Sequence, residues 1–453
     1  MKLFVFGAGY VGIPYAAGLA SLGHDVTVYD PDAKKIAVLN TGVSPIFEPG
    51  LDALLTTHRK NLTFLSDLPA AEDALASAEA AFSCVGTPDR ADGRGPDLKY
   101  VLATSETAAR VWRTAPSLAG PRAFVLKSTV PPSIVAPILG LFEGTTIRLI
   151  SNPEFLQEGR ALADFFNPSR IVMGCGEIDR EFALQLATDL YGHRNAPIHV
   201  VRHASAWLSK YGANGLLATK VIFTNELARV AQATGADIEE IRLAMKDDGR
   251  IGSWGLSAGA GAFGPCFVKD LHALETFAGD TATKAQPFFA ALKTANHAHC
   301  HAMADWIHRE LLTSRSQRVA VWGTAFKAGT DDARTSGAVT ILLQLGAWFA
   351  GVRNAPRFHL SDPLALLQTE EMLRRSSMAA LVDYEPDHIA AARASDTLLV
   401  LTEWDAYGRV TLDEWKQIAG TCKRVIDLRR VLDRGMLARA GITYKALGVG
   451  EEG

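Results

Sequence analysis

The chain has 453 residues, which at roughly 150 residues per domain points to about three domains, or two with an insertion. With 48% hydrophobic and 21% charged residues it has a globular composition able to bury real cores, which excludes a disordered, collagenous or low-complexity chain. Lysine and arginine number 46 against 49 acidic residues, a net charge of -3 with no long run of one sign, so neither nucleic acid nor an anionic membrane is an expected partner.

The stretch from Leu3 to Leu22 carries no charged side chain and superficially fits a signal peptide or a membrane span. Glycines and Pro14 interrupt it, and a strand, a glycine turn and a helix account for it better. Apolar runs bounded by turn residues then recur at Val26 to Tyr29, Ala80 to Val85, Phe124 to Leu126, Ile147 to Ile150 and Ile171 to Met173. Helical periodicity fills intervals such as Tyr10 to Leu22, Ala33 to Leu39 and Tyr100 to Trp112, and this alternation predicts a parallel sheet covered on both faces. From about His203 to Ala233, and again from about Ala285 to Leu312, the pattern is purely helical. Strand-like runs return at Val319 to Trp322, Phe358 to Leu360, Thr397 to Leu401 and Val425 to Ile426. The expected fold class is therefore α/β, with two doubly wound parallel-sheet domains, residues 1–202 and 314–453, joined by a helical region over 203–313.

The five cysteines (Cys84, Cys175, Cys266, Cys300 and Cys422) are widely spaced without a C-x-x-C, which argues against a disulfide scaffold or zinc ribbon and fits a reducing cytoplasm. His297, His299, Cys300 and His301 form a cluster of metal-ligand types, with His297 and His301 four apart on a predicted helix, but no acidic or further cysteine ligand accompanies them. They read as helix surface or interface, and no metal is expected. Phe288, Phe289 and Trp306 read as packing.

The first strand runs into Gly7-Ala8-Gly9-Tyr10-Val11-Gly12, a G-x-G-x-x-G that opens a helix. Its glycines permit a tight turn and close backbone approach to a pyrophosphate, and the helix N-terminus offers N–H donors. Asp30 closes the next strand, where an acid meets the ribose hydroxyls of a dinucleotide and repels a 2′-phosphate, so NAD is expected over NADP. Lys34 and Lys35 lie close enough in sequence to weaken that preference. No Tyr-x-x-x-Lys pair exists, which removes the short-chain dehydrogenase and epimerase class.

Polar clusters stand at the expected strand ends and loops: Lys127-Ser128-Thr129-Val130-Pro131-Pro132, Asn152-Pro153-Glu154-Phe155-Leu156, Lys210 with Asn214, and Gly264-Pro265-Cys266-Phe267-Val268-Lys269-Asp270. Together with Pro45 to Leu51, Val85-Gly86-Thr87-Pro88, Asn225-Glu226, Arg250-Ile251-Gly252 and Phe326 to Arg334, the chain resembles the UDP-glucose 6-dehydrogenase family, within the UDP-glucose/GDP-mannose dehydrogenases. The resemblance implies an NAD-binding domain, a central helical dimerisation region and a nucleotide-sugar-binding domain. It also implies oxidation of the sugar C6 alcohol to a carboxylate with two NAD, UDP-glucose to UDP-glucuronate, with Cys266 as nucleophile. Lys210 and Asn214 would polarise the reacting oxygens. Asp270 would position water or assist proton transfer, and Glu154 or Thr129, with a water, would serve proton removal and hydrolysis.

The same resemblance gives cofactor contacts to Gly7, Gly9, Tyr10, Val11, Gly12, Asp30, Lys35 and Thr87, and also to Thr129, Glu158, Lys269 and Arg334. It gives substrate contacts to Glu154, Phe155, Leu156, Lys210 and Asn214, to Phe263, Gly264 and Lys327, and to Arg250 reaching a partner subunit's substrate in a homodimer. Three departures are evident. The loop before Cys266 is one residue shorter than the usual Phe-Gly-Gly-Ser-Cys, Val268 stands where proline is usual, and Trp207 replaces a glutamate three residues before Lys210. GDP-mannose or a UDP-hexosamine therefore remain alternative substrates. A silent dinucleotide-binding scaffold is the alternative of another class.

Overall fold

The computed structural model describes residues 1–90, 95–116, 118–192, 196–281 and 283–450. They form two compact units, Met1–Ala213 and Asn214–Gly453.

The first unit is built on eight strands, β1 (Lys2–Phe6), β2 (Asp25–Tyr29), β3 (Leu62–Leu65), β4 (Ala80–Ser83), β5 (Ala123–Leu126), β6 (Arg148–Ser151), β7 (Ile171–Cys175) and β8 (Ile198–Arg202), in the order β3-β2-β1-β4-β5-β6-β7-β8. Neighbours pair in parallel except β6 and β7, which meet antiparallel at Ser151 and Gly174, a departure from an all-parallel sheet. Alternation along β1 explains why both faces need cover: Leu3 and Val5 enter one core, and Phe4 and Phe6 enter the core on the other face. The chain reverses its direction of travel between β1 and β4, so the carboxyl ends of those strands border a crevice, the usual ligand position in such sheets.

The second unit repeats the plan. Its strands, β9 (Arg318–Trp322), β10 (Arg357–Ser361), β11 (Val382–Tyr384), β12 (Thr397–Val400), β13 (Arg424–Asp427) and β14 (Thr443–Ala446), are ordered β11-β10-β9-β12-β13-β14, all parallel. Val319 and Val321 face one core, and Ala320 and Trp322 the other. The echo extends to the first turn. Gly323, with φ +91°, follows β9 as Gly7, with φ +96°, follows β1, and Asp362 follows β10 as Asp30 follows β2. Asp362, however, is saturated: it accepts from the backbone N–H of Thr324, Ala325, Leu364 and Ala365 and from the Trp404 indole. No oxygen is left for a ribose, so this turn holds its own chain instead.

Helices account for the middle of the chain. His203–Thr234 starts in the first unit and continues into the second, followed by Ile238–Lys246, Phe267–Asp280 and Gln286–Ser314. Among the described residues, no helix is long and apolar enough to cross a membrane; the uncharged Leu3 to Leu22 stretch is β1, the glycine turn and helix Gly12–Ser21.

Candidate active site

In the first unit the glycine turn is shaped by close approach. A Cβ on Gly7 would lie 2.8 Å from the Cys84 carbonyl oxygen, and one on Gly12 would lie 1.9 Å from the Gly7 oxygen, whereas Gly9 faces open space. Tyr10 and Val11 complete the turn, and Val11 is the N-cap of helix Gly12–Ser21. Asp30, 8% exposed, receives Ala8 N–H at 2.8 Å and Asp32 N–H at 3.0 Å, and its Oδ2 pairs with Lys35 Nζ at 3.1 Å. Lys35 thus neutralises Asp30, while Lys34 contributes only its backbone N–H to the Asp32 cap. Thr87 and Thr129 are buried in the loops after β4 and β5. Ser128 Oγ joins those loops through the Ser83 and Val85 carbonyls.

After β6, Glu154 and Lys210 form a buried ion pair of 2.8 Å, with side chains 9% and 4% exposed. Burial alone would raise the Glu154 pKa. The Lys210 charge and hydrogen bond, the Leu156 N–H at 2.7 Å and the charge of Lys127 together outweigh it and hold the carboxyl below its ordinary value. The Phe155 ring lies 5.5 Å from Lys210 Nζ and carries the Arg170 guanidinium at 3.7 Å. Leu156 packs onto the core, and Glu158 is half-buried in the following turn. Trp207 is fully buried in the core, so where an acid is usual the helix gains packing instead of a surface ion pair.

Asn214 is one turn beyond Lys210 and opens the second unit. Its amide donates to Asp270 Oδ2 at 2.6 Å, and Lys269 Nζ lies 3.2 Å from Asp270 Oδ1. Asp270 is only 1% exposed. Both Lys269 and Asp270 lie in the first turn of helix Phe267–Asp280, whose N-cap is Cys266. None of the five cysteines forms a disulfide, and only Cys266 is exposed. Burial pushes the Cys84, Cys300 and Cys422 thiols up to about 12 and raises Cys175 as well, which leaves them protonated and unreactive. Gly264, with φ +99°, precedes the cysteine and packs on Phe326; a Cβ there would lie 2.8 Å from the ring. Lys327 Nζ stands 5.7 Å from the same ring, and Phe263 packs at Gly261 and Gly337.

Two further expected site residues make local ion pairs. Arg250 has a side chain 91% exposed and bonded to Asp248 at 2.6 Å. Arg334 forks onto Asp332, and Asp332 is fully buried. His299 is buried against the Gly259 carbonyl and His301 meets Trp348 edge-to-face. Among the described residues, no group of three or more His, Cys, Asp and Glu is placed to hold a metal.

The sequence left several residues here unassigned. Lys127, 2% exposed, reaches Asn152 Oδ1 at 2.9 Å and lies over the Tyr15 ring at 4.1 Å; Tyr191 donates to the same Asn152 oxygen. Glu48 receives the N–H groups of Gly159 and Leu162 and so ties down the segment after Glu158. Both sit inside recognised motifs, Lys-Ser-Thr and Pro-Ile-Phe-Glu-Pro-Gly, and that was the available signal.

Three domain models of the UDP-glucose/GDP-mannose dehydrogenase family match successive parts of the chain: the NAD binding domain over residues 1–194, the central domain over 204–298 and the UDP binding domain over 320–434. A putative UDP-glucose 6-dehydrogenase of Bacillus subtilis (strain 168) is 35% identical, over 99% of this chain and 100% of its own length. The UDP-glucose 6-dehydrogenase of Rhizobium meliloti (strain 1021) is 33% identical over 99% of each chain. The solved structure of a UDP-glucose dehydrogenase from the hyperthermophilic archaeon Pyrobaculum islandicum superposes with a TM-score of 0.83 at 32% identity, covering 98% of this chain and 97% of that one. The glycine turn with its acid, the buried carboxylate and lysine and the single exposed cysteine thus occur in a chain that belongs to the UDP-glucose/GDP-mannose dehydrogenase family.

Proposed function

We propose that the protein oxidises the C6 alcohol of UDP-glucose to the carboxylate of UDP-glucuronate, in two oxidations linked by a covalent adduct on Cys266. The observation that carries this reading is the exposure of Cys266 alone among five cysteines, at the N-terminal end of a helix that also holds Lys269 and Asp270. We assign cofactor binding to 1–202, a helical dimerisation region to 203–313 and nucleotide-sugar binding to 314–453. The glycine turn and Asp30 fit NAD: the backbone is bare of side chains where a pyrophosphate approaches, and an acid ends β2. When bound, NAD serves as the hydride acceptor in both oxidations.

Glu154, ionised and 2.8 Å from Lys210, takes the alcohol proton directly or through a water held by Thr129, and Lys210 stabilises the alkoxide left as C6 loses its hydride. The Cys266 thiolate then adds to the aldehyde carbon, and the oxygen takes a proton to give the thiohemiacetal. Loss of a second hydride and that proton leaves a thioester. Water, deprotonated with the help of Asp270, adds to the thioester carbon; collapse breaks the C–S bond, returns the thiol and releases the carboxylate. Asn214, fixed by Asp270, supplies a hydrogen bond to the successive oxyanions.

The working form is a homodimer. Leu216, Phe223 and Val230 recur every seven residues along helix His203–Thr234 and are 66%, 57% and 57% exposed, an apolar stripe that a second copy would cover. Arg250, exposed and held only locally by Asp248, is free of its own sheet and can serve the partner's substrate. Five unlinked thiols suit the reducing cytoplasm. The test is stoichiometry. The wild type should give two NADH per sugar and no trapped aldehyde, and Cys266→Ala should form no carboxylate while still binding NAD and sugar. Near-wild-type carboxylate formation by Cys266→Ala would overturn the mechanism.

A further inference from the structure

The five residues Ala258-Gly259-Ala260-Gly261-Ala262 lead into Phe263-Gly264-Pro265-Cys266. None of the five has a side chain larger than methyl, so although Ala258, Ala260 and Ala262 are buried in apolar clusters their packing area is small, and glycine at two of the five widens the range of backbone conformations. Three buried side chains from two helices grip the backbone in addition. Asn225, 0% exposed, accepts from Gly259 N–H at 2.8 Å, and His299, 1% exposed, has its Nε2 2.8 Å from the Gly259 carbonyl oxygen. Asn296, 4% exposed, accepts from Ala262 N–H at 2.8 Å and donates back to the Ala262 oxygen at 2.9 Å. A carbonyl only accepts, so His299 carries its proton on Nε2. Its Nδ1 and the Asn225 Nδ2 are buried without a hydrogen-bond partner among the described residues. Burying polar groups at the expense of their own hydrogen bonds is unfavourable, and the return visible here is the fixing of this segment.

We propose that Asn225, Asn296 and His299 are positioning residues for the nucleophile: by clamping both polar groups of Gly259 and of Ala262 they fix the path of the loop and hence the place of Cys266. The inference rests on the covalent reading of Cys266. The clamp is specific in its chemistry. Asn296 must both accept and donate, which aspartate cannot do, and His299 must donate at the far ring nitrogen, a position a glutamine amide can reach and a leucine cannot satisfy.

The test uses the full-length enzyme with His299→Leu, His299→Gln and Asn296→Asp, beside Cys266→Ala. It measures NADH per UDP-glucose with semicarbazide as aldehyde trap, the alkylation rate of Cys266 by iodoacetamide, KM and Tm. A loop displaced by an ångström costs roughly 100-fold in a positioned reaction. His299→Leu and Asn296→Asp should therefore fall from two NADH per sugar towards one, release trappable aldehyde, and show an altered alkylation rate. His299→Gln should restore the wild-type pattern. Unchanged stoichiometry and alkylation in His299→Leu and Asn296→Asp would overturn the clamp. So would losses that follow Tm alone and are not restored by His299→Gln. Failure of the covalent reading shows separately, as Cys266→Ala still yielding two NADH, and the clamp is then judged on the alkylation rates.

Discussion

Replacing Lys210 by methionine keeps the length of the side chain and removes its charge, leaving Glu154 inside the first unit without its principal partner. The pair is 2.8 Å apart with side chains only 4% and 9% exposed, so solvent screens it little. Breaking such a pair by removing one member costs about 3–5 kcal/mol, because a buried charge is left uncompensated. For a unit of about 200 residues that corresponds to a fall of roughly 6–20 °C in Tm. The pH dependence carries the diagnosis. In the wild type, burial tends to raise the Glu154 pKa and the Lys210 charge overrides it. The depressed carboxyl therefore contributes stability above the unfolded value of about 4.3, a contribution lost as pH falls through the folded value. Without Lys210 the burial effect dominates, the Glu154 pKa rises, and ionisation at neutral pH destabilises the fold. The deficit of Lys210→Met should thus be largest near pH 7 and shrink towards pH 4, and adding Glu154→Gln should recover most of it. Urea unfolding of the single and double variants at pH 4.5 and 7 measures this. A deficit equal at the two pH values, or one that Glu154→Gln does not relieve, would show that the pair is not ionised as described.

Asp30→Ala should narrow the preference for NAD over NADP by about tenfold or more in kcat/KM, since the acid that opposes a 2′-phosphate is gone and Lys35 is released from its 3.1 Å contact; an unchanged ratio would reject the assignment. Gly12→Ala places a Cβ 1.9 Å from the Gly7 oxygen, an overpacking expected to cost about 1–3 kcal/mol and to abolish NAD binding in calorimetry. Wild-type affinity would mean that the turn does not hold the cofactor. Phe223→Glu puts a charge into the apolar stripe of helix His203–Thr234, where Phe223 is 57% exposed, and sedimentation should then find monomers; a persistent dimer would place the interface elsewhere.

What the sequence made legible follows from burial. Most of the inner strands are buried on both faces, with Thr27 in β2 and His359 in β10 only half-buried, and each of β1, β2, β4, β5, β6 and β7, and β9, β10, β12 and β13, is anticipated by a short, largely apolar run. The four strands without a matching apolar run, β3, β8, β11 and β14, are the four sheet edges. An edge strand needs cover on one side only, and Ile198-His199-Val200-Val201-Arg202 shows the result: polar residues interleave and the strand resembles a loop. The site divides in the same way. Gly7 and Gly12 were legible because their chemistry is tied to a local spacing and a turn, whereas Cys266 and Asp270 were picked out only by the resemblance of the loop that holds them. The roles of Asn225, Asn296 and His299 were not legible, although Asn225 belongs to the Asn225-Glu226 segment, because each is an ordinary polar residue within a helix until the fold lays the glycine-alanine loop against it, 34 to 40 residues distant in sequence. A polar side chain that grips backbone leaves no pattern in its own neighbourhood. The trace it leaves is in the segment it holds, a run of small residues with little side chain of its own to fix it.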